Sequence, residues 1–222
     1  MIGYVFRNSI KGAIFDLDGT LLDTMARLER VEIDYLVALG GVPKPGIAKI
    51  LRALNLAEVS RYYRSEYGVR ESLDEIFAGR NRLLEGYYFN DAPLKGEVVP
   101  VLDCLRGYDV SMCVATATDR HLVEPALLRC GISGYFDRIL TCTEENTSKT
   151  NPDIYVRAAE LMGTRICETI VVEDALHAIK SAKEAGFPVV AIYDESAEDQ
   201  QEEIRAISDH YFMSLGEMLD VL

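Results

Sequence analysis

The 222-residue chain has no run approaching the roughly 20 consecutive apolar residues that a membrane-crossing helix requires, which argues against a spanning segment. It has no basic excess either. Lys and Arg total 23 against 36 Asp and Glu, a formal net charge of −13, so nothing supplies the positive footprint that nucleic acid or an anionic membrane would demand. Its three histidines, His121, His177 and His210, are too dispersed for a histidine-based site, and His177, one helical turn beyond Asp174, reads as structural or surface. The five cysteines (Cys104, Cys113, Cys130, Cys142, Cys167) are odd in number and never spaced C-x-x-C, the pattern of free, mostly buried thiols with no zinc site. Internal repeats, low-complexity linkers and a dinucleotide-binding fingerprint are all lacking. The first residues, MIGYVFRNSIKG, place Arg7 and Lys11 after the apolar ones and lack a small-residue cleavage pattern, so they make a poor signal peptide and the expected location is cytoplasmic.

The most informative stretch is Lys11 to Asp23, KGAIFDLDGTLLD. Ala13, Ile14 and Phe15 form an apolar run too short for an amphipathic helix, bounded by Gly12 and the turn-forming Asp18-Gly19, which fits a buried parallel strand. Ligands of open α/β sheets collect beyond the carboxyl ends of the strands, so Asp16 would stand at the mouth of such a site. The turn begins between Asp16 and Asp18, and both carboxylates can converge on one reacting group, one as nucleophile and the other as proton donor. The plainer alternative is a polar turn capping the next helix.

Later apolar runs end in similar chemistry. Val110 to Ala115 terminates in Thr116-Ala117-Thr118, where a hydroxyl and backbone N–H groups suit phosphate oxygens, although a threonine there also suits a helix N-cap. Ser148-Lys149-Thr150-Asn151-Pro152-Asp153 opens a helix, with Pro152 near its first turn and Asp153 complementing the dipole; a lysine ahead of a helix is ordinarily just solvated. Thr169 to Val172 runs into Glu173-Asp174 ahead of a helical segment, Ala175 to Ala185, stopped by Gly186; that acidic pair also fits a simple N-cap.

Together these pieces resemble the haloacid dehalogenase (HAD) superfamily. DLDGTLLDT is similar to its first motif, D-x-D-x-[TV]-[LV], and Thr116, Lys149 and Glu173-Asp174 match the second, third and fourth motifs in the family's order. The resemblance implies a catalytic set of Asp16, Asp18, Thr116 and Lys149. It implies phosphate contacts from Leu17, Asp18, Thr116, Ala117 and Lys149. It also implies Mg2+ held by Asp16, the Asp18 backbone carbonyl and Asp174, with Glu173 adding a ligand directly or through water. Mg2+ is a hard ion that prefers oxygen ligands, and it lets an anionic nucleophile approach an anionic ester.

From Thr24 to Asp91 the chain carries ten basic and ten acidic residues, so the charge deficit lies elsewhere. This segment lacks strand signals and shows helical periodicity over Leu28–Leu39, Ile47–Leu54, Leu56–Tyr67 and Leu73–Tyr88. It resembles the C1-type helical cap of HAD subfamily I. The expected organisation is a core of residues 1–22 and 93–222 and a cap of residues 23–92. Six of the twelve tyrosines fall in the cap, where core or rim packing is the simpler reading than a substrate pocket; Arg52, Arg61, Arg64, Arg80 and Arg82 read mostly as solvated or paired. Val189–Tyr193 is a further strand, and Asp194–Glu203 an exposed charged loop entering a helix.

The expected fold is therefore α/β, a Rossmann-like, mainly parallel sheet flanked by helices with an inserted α-helical cap. The leading functional expectation is a magnesium-dependent phosphatase acting on a small phosphorylated metabolite, such as a sugar phosphate, through an aspartyl-phosphate at Asp16. Asp18 would protonate the leaving alcohol and then activate water. The aspartate at position 18 argues against dehalogenation. A β-phosphoglucomutase-like phosphomutase is the alternative, favoured by Ser148-Lys149 with Pro-Asp-Ile and by Glu173-Asp174. The absence of a histidine in Thr24–Glu32 and the presence of Thr20 weigh against it. A catalytically silent binding protein ranks third, because every motif residue is in place. The partners expected are the metabolite alone, with no nucleic acid and no membrane, in a monomer or small homo-oligomer.

Overall fold

The computed structural model describes residues 10–52, 54 and 56–222, with the side chains of Lys49, Arg52, Leu56 and Ala57 excepted. The N-terminal segment up to Ser9, Ala53 in the Ile47–Leu54 helix expectation, and the Arg52 side chain lie outside the described residues. The chain divides into two compact units. One comprises the residues up to Asp23 together with Ala92–Leu222, and the other is Thr24–Asp91.

The first unit is built on a six-stranded sheet: β1 (Gly12–Phe15), β2 (Ser111–Thr116), β3 (Arg138–Thr141), β4 (Thr169–Glu173), β5 (Val189–Ile192) and β6 (His210–Phe212). Every pairing is parallel and the order is β3-β2-β1-β4-β5-β6. Strands β1, β4 and β5 are buried along their whole length, as expected of parallel strands covered on both faces. Helices α5 (Val98–Gly107), α6 (Arg120–Arg129), α7 (Asp153–Met162), α8 (Leu176–Glu184) and α9 (Gln201–Ile207) flank the sheet. Because successive strand residues face opposite ways, Ile14 joins Cys113, Leu140, Tyr155, Val171 and Val189 in one core layer, while Phe15 points to the other and meets Phe136 edge-on.

The chain winds from β1 through β2 to β3, then crosses back to build β4, β5 and β6 on the other side. The reversal lies between β1 and β4, and a ligand crevice is expected beyond the strand ends there. Two strands escape the sequence reading. β3 and β6 are the sheet edges, short and only partly buried, so they lack the continuous apolar signature of the central strands. The Asp194–Glu203 stretch also differs from expectation. Asp194 is buried and caps a 3-10 turn by accepting from the Ser196 N–H, and only the residues after it carry the exposed charge. The thiols are free, but only Cys113 and Cys142 are buried; Cys104 and Cys130 are half-buried and Cys167 is exposed.

The second unit holds α1 (Met25–Ala38), α2 (Ile47–Arg52), α3 (Leu56–Tyr67) and α4 (Leu73–Asn90). Its core gathers Tyr35, Leu36, Ile47, Leu51, Val59, Tyr63, Val69 and Ile76. Tyr35 and Tyr63 are packed inside that core, donating their hydroxyls to the carbonyls of Glu75 and Glu32, and Tyr88 is fully buried. Arg80 is paired with Glu32, and Arg64 donates to the Glu71 carbonyl, in keeping with the plain reading of these side chains. A capping box starts α4, with Ser72 and Glu75 satisfying each other's backbone N–H groups.

Candidate active site

Four chain segments bring the motif residues together at the carboxyl edge of the first unit's sheet. Asp16 follows β1 directly and is tied to the neighbouring strand by its N–H to the Val172 carbonyl at 3.0 Å. Glu173 ends β4 and Asp174 follows it, while Thr116 ends β2, so all four residues lie at or beside the reversal point of the sheet. Lys149 arrives on the loop ahead of α7. Far from being solvated, it is buried, with its ammonium bridging the Asp16 and Glu173 carboxylates.

The turn after β1 depends on Gly19. Its φ of +88° belongs to the left-handed region, and a Cβ there would collide with the Asp174 carboxylate. Thr20, the next residue, is buried and donates its hydroxyl to Asp174 Oδ1 at 2.9 Å, so the first and fourth motifs grip each other across 154 residues. Asp18 is held from the second motif: the Thr118 hydroxyl donates to Asp18 Oδ2 at 2.6 Å. The Thr116 hydroxyl accepts the Thr118 N–H at 3.0 Å, which leaves its proton as the group it can offer to a ligand. Leu17 is wholly buried and its carbonyl accepts from the Leu21 and Leu22 N–H groups. Ala117 is exposed immediately beyond Thr116.

Glu173 is fully buried and multiply bound. Oε1 accepts from Lys149 and from the Tyr155 hydroxyl at 3.1 Å, and Oε2 accepts from the N–H groups of Asp174 and Ala175 at 3.0 and 3.1 Å. Tyr155, on the first turn of α7, went unread in the sequence because Pro-Asp-Ile-Tyr looks like ordinary helix-face packing. Burial, then the nearby Glu173 charge, holds its phenol well above the usual range, so it acts as a donor.

Ligand atoms of Asp16, Glu173 and Asp174 lie within 4.8 Å of one another, and all three residues are buried. Burial pushes the Asp16 carboxyl well above the usual carboxylate range against the pull of Lys149, with Glu173 and Asp18 adding to the rise. Asp174 is raised likewise by burial, then by Glu173, Asp16 and Asp194. Burial works against the charge on Lys149, but Asp16 and Glu173 prevail and keep it protonated. One ammonium thus faces three buried carboxylates. Each unpaired buried carboxylate costs several kcal/mol of desolvation, so the set is electrostatically incomplete. An all-oxygen donor group with surplus negative charge fits a hard divalent cation such as Mg2+.

His177 is exposed on α8, in keeping with its reading as a structural or surface residue, and no helix among the described residues is long and apolar enough to cross a membrane. A second, partly buried ion pair stands at the same sheet edge: Lys95 donates to the buried Asp194 Oδ2 at 2.7 Å, just past β5.

The sequence model for haloacid dehalogenase-like hydrolases matches residues 10–186. The chain belongs to that family. It is 32% identical over 194 residues to an uncharacterized protein in the fgs 3′ region of Lacticaseibacillus casei, covering 81% of this chain and 82% of that one. It is 27% identical over 195 residues to the fructose-1-phosphate phosphatase YqaB of Escherichia coli K12, covering 82% of this chain and 95% of that one. The crystal structure of CbbY from Rhodobacter sphaeroides in complex with phosphate superposes with a TM-score of 0.80 at 20% identity, over 94% of this chain and 96% of that one, a likeness of fold.

Proposed function

We propose that this haloacid dehalogenase-like protein is a Mg2+-dependent phosphatase of a small phosphorylated metabolite, a sugar phosphate fitting best. The observation that carries the reading is the buried Asp16–Lys149–Glu173 bridge with Asp174 alongside, a nucleophilic carboxylate supplied with one cation and fitted for another. Kinship with a fructose-1-phosphate phosphatase over nearly that protein's whole length supports hydrolysis of a phosphate ester.

In this reading Asp16 attacks phosphorus, forming an acyl-phosphate as the ester P–O bond breaks. Asp18, oriented by the Thr118 hydroxyl, gives its proton to the departing alcohol oxygen. Asp18 then takes a proton from water, whose oxygen attacks phosphorus, releasing orthophosphate and restoring Asp16. Lys149 offsets the charge on the nucleophile and the phosphoryl oxygens, while Thr116 and the N–H groups around Leu17, Asp18 and Ala117 receive those oxygens. Asp16, the Asp18 carbonyl and Asp174 would hold Mg2+, with Glu173 beside them, and the ion supplies neutralisation of phosphoryl charge. The inserted helical unit, residues 24–91, serves as the cap that selects the leaving group.

The test is phosphate release from a panel of sugar, nucleotide and organic-acid phosphates with and without Mg2+. Turnover that needs Mg2+, is abolished by chelation, and falls by about 10^4-fold or more in Asp16→Asn is the expected result. The Glu173-Asp174 pair favours a phosphomutase as the second reading. Isomerised monophosphate appearing on addition of a sugar bisphosphate, without net phosphate release, would establish it. Ligand binding with no turnover of either kind would overturn both.

A further inference from the structure

Glu173 has about four acceptor positions on its two oxygens, and the protein fills them all: Lys149 and the Tyr155 hydroxyl on Oε1, the Asp174 and Ala175 N–H groups on Oε2. Asp174, in contrast, receives a single donor among the described residues, the Thr20 hydroxyl on Oδ1. The two neighbouring carboxylates are therefore not equivalent. One is bound on every side by protein donors, whereas the other retains acceptor capacity facing Asp16.

The hydroxyl that completes the Glu173 shell is itself rigidly held. Tyr155 is fully buried in the layer formed by Ile14, Leu140, Val171 and Val189. Its ring meets Phe187 edge-on at 6.3 Å between centroids, and the same ring lies 6.0 Å from the Lys149 ammonium. Packing fixes the ring, the ring fixes the hydroxyl, the hydroxyl and two backbone N–H groups fix the carboxylate, and the carboxylate aims the ammonium at Asp16.

From this we infer that Tyr155 and Glu173 are positioning residues that orient Lys149 toward the Asp16 nucleophile, and that Glu173 serves in this chain as the anchor of that lysine and not as a metal ligand. The inference rests on the phosphoryl-transfer reading above and deepens it. Lys149 balances charge that grows as phosphorus is attacked, so a loosened Lys149 weakens transition-state binding while ground-state substrate binding and the metal stay in place.

Tyr155→Phe removes one hydroxyl from a preserved ring, and Glu173→Gln removes the anchor's charge. Asp174→Asn is the comparison for metal loss. Mg2+ affinity is measured by titration calorimetry, affinity for orthovanadate by competition in saturating Mg2+, and kcat and KM on the best substrate of the panel. For both Tyr155→Phe and Glu173→Gln, kcat and vanadate affinity are expected to fall by about tenfold or more while KM and Mg2+ affinity stay within about twofold. Asp174→Asn loses Mg2+ binding. A Tyr155→Phe enzyme with unchanged kcat and vanadate affinity would reduce Tyr155 to packing, and a Glu173→Gln enzyme that loses Mg2+ affinity as Asp174→Asn does would make Glu173 a ligand; either result overturns the inference. The Mg2+ and vanadate titrations need no turnover, so a wild-type protein that releases no phosphate would sink the hydrolase reading while these arms still decide the role of Tyr155 and Glu173.

Discussion

Gly19 shows how little room a single position can have. An alanine there takes on a left-handed backbone that costs roughly 1–2 kcal/mol for an L residue, and its methyl is driven into the Asp174 carboxylate. Gly19→Ala is therefore expected to lower the melting temperature and, by displacing Asp174, to weaken Mg2+ binding by about tenfold or more. Calorimetric titration checks this; an unchanged Mg2+ affinity would mean that Asp174 need not stand where Gly19 permits it. Legibility at this scale was uneven. Asp16, Thr116, Lys149 and Asp174 could be read because each ends an apolar run or opens a helix, positions where polar residues stand out. Tyr155 and Asp194 could not, because their importance lies in what they meet: a carboxylate 18 residues away and a lysine 99 residues away in the chain. Thr118 stands out in the sequence only as a neighbour of Thr116, yet its hydroxyl donates to the carboxylate of Asp18, the proposed proton donor.

Strands and helices were read with the same asymmetry. The central strands β1, β2, β4 and β5 were recognisable because burial on both faces demands uninterrupted apolar residues. β3 (RILT) and β6 (HYF) were not, since an edge strand needs apolar residues on fewer sides. β6 is secured at its start by Asp209. Asp209 Oδ2 accepts the Val189 N–H at 2.7 Å, and both carboxylate oxygens accept from Lys183, joining α8 and the start of β5 to the start of β6. Partial burial opposes ionisation of Asp209, but the Lys183 and Val189 bonds outweigh it and hold the carboxyl below its usual range. A folded-state value below the unfolded one stabilises the fold above the usual carboxylate pKa, and the contribution is lost as pH falls through the folded value. Asp209→Asn should thus cost about 1 kcal/mol or less at neutral pH, discounted for the partial exposure of the pair, and the difference from the parent should close on acidification. Thermal unfolding across pH 7 to 3 measures it; a difference that grows on acidification contradicts the assignment.

Charge is distributed unevenly over the whole molecule. The 24–91 segment is neutral, so the entire −13 belongs to the sheet-bearing remainder, which also contains the proposed phosphate site. A dianionic substrate approaches against that field. Salt shortens its reach from about 30 Å at 0.01 M to about 8 Å at 0.15 M, so KM for a sugar phosphate should fall over that range at constant free Mg2+, with kcat little changed. Initial rates against ionic strength provide the check, and a KM that rises with salt would mean the field at the mouth is positive.

The two chain crossings that bound the 24–91 segment run side by side. The Asp23 N–H donates to the Pro93 carbonyl and the Lys95 N–H to the Leu21 carbonyl, both at 2.9 Å, around an antiparallel bridge between Leu22 and Leu94. Seen from the sheet, everything between them is the loop of one hairpin whose mouth is already stitched shut. The entropic penalty of closing a loop grows only with the logarithm of its length, so such a mouth tolerates inserts of widely different size and sequence at almost constant stability. If the insert is the cap proposed above, exchanging it wholesale would change selectivity while the sheet and its carboxylates stay as they are.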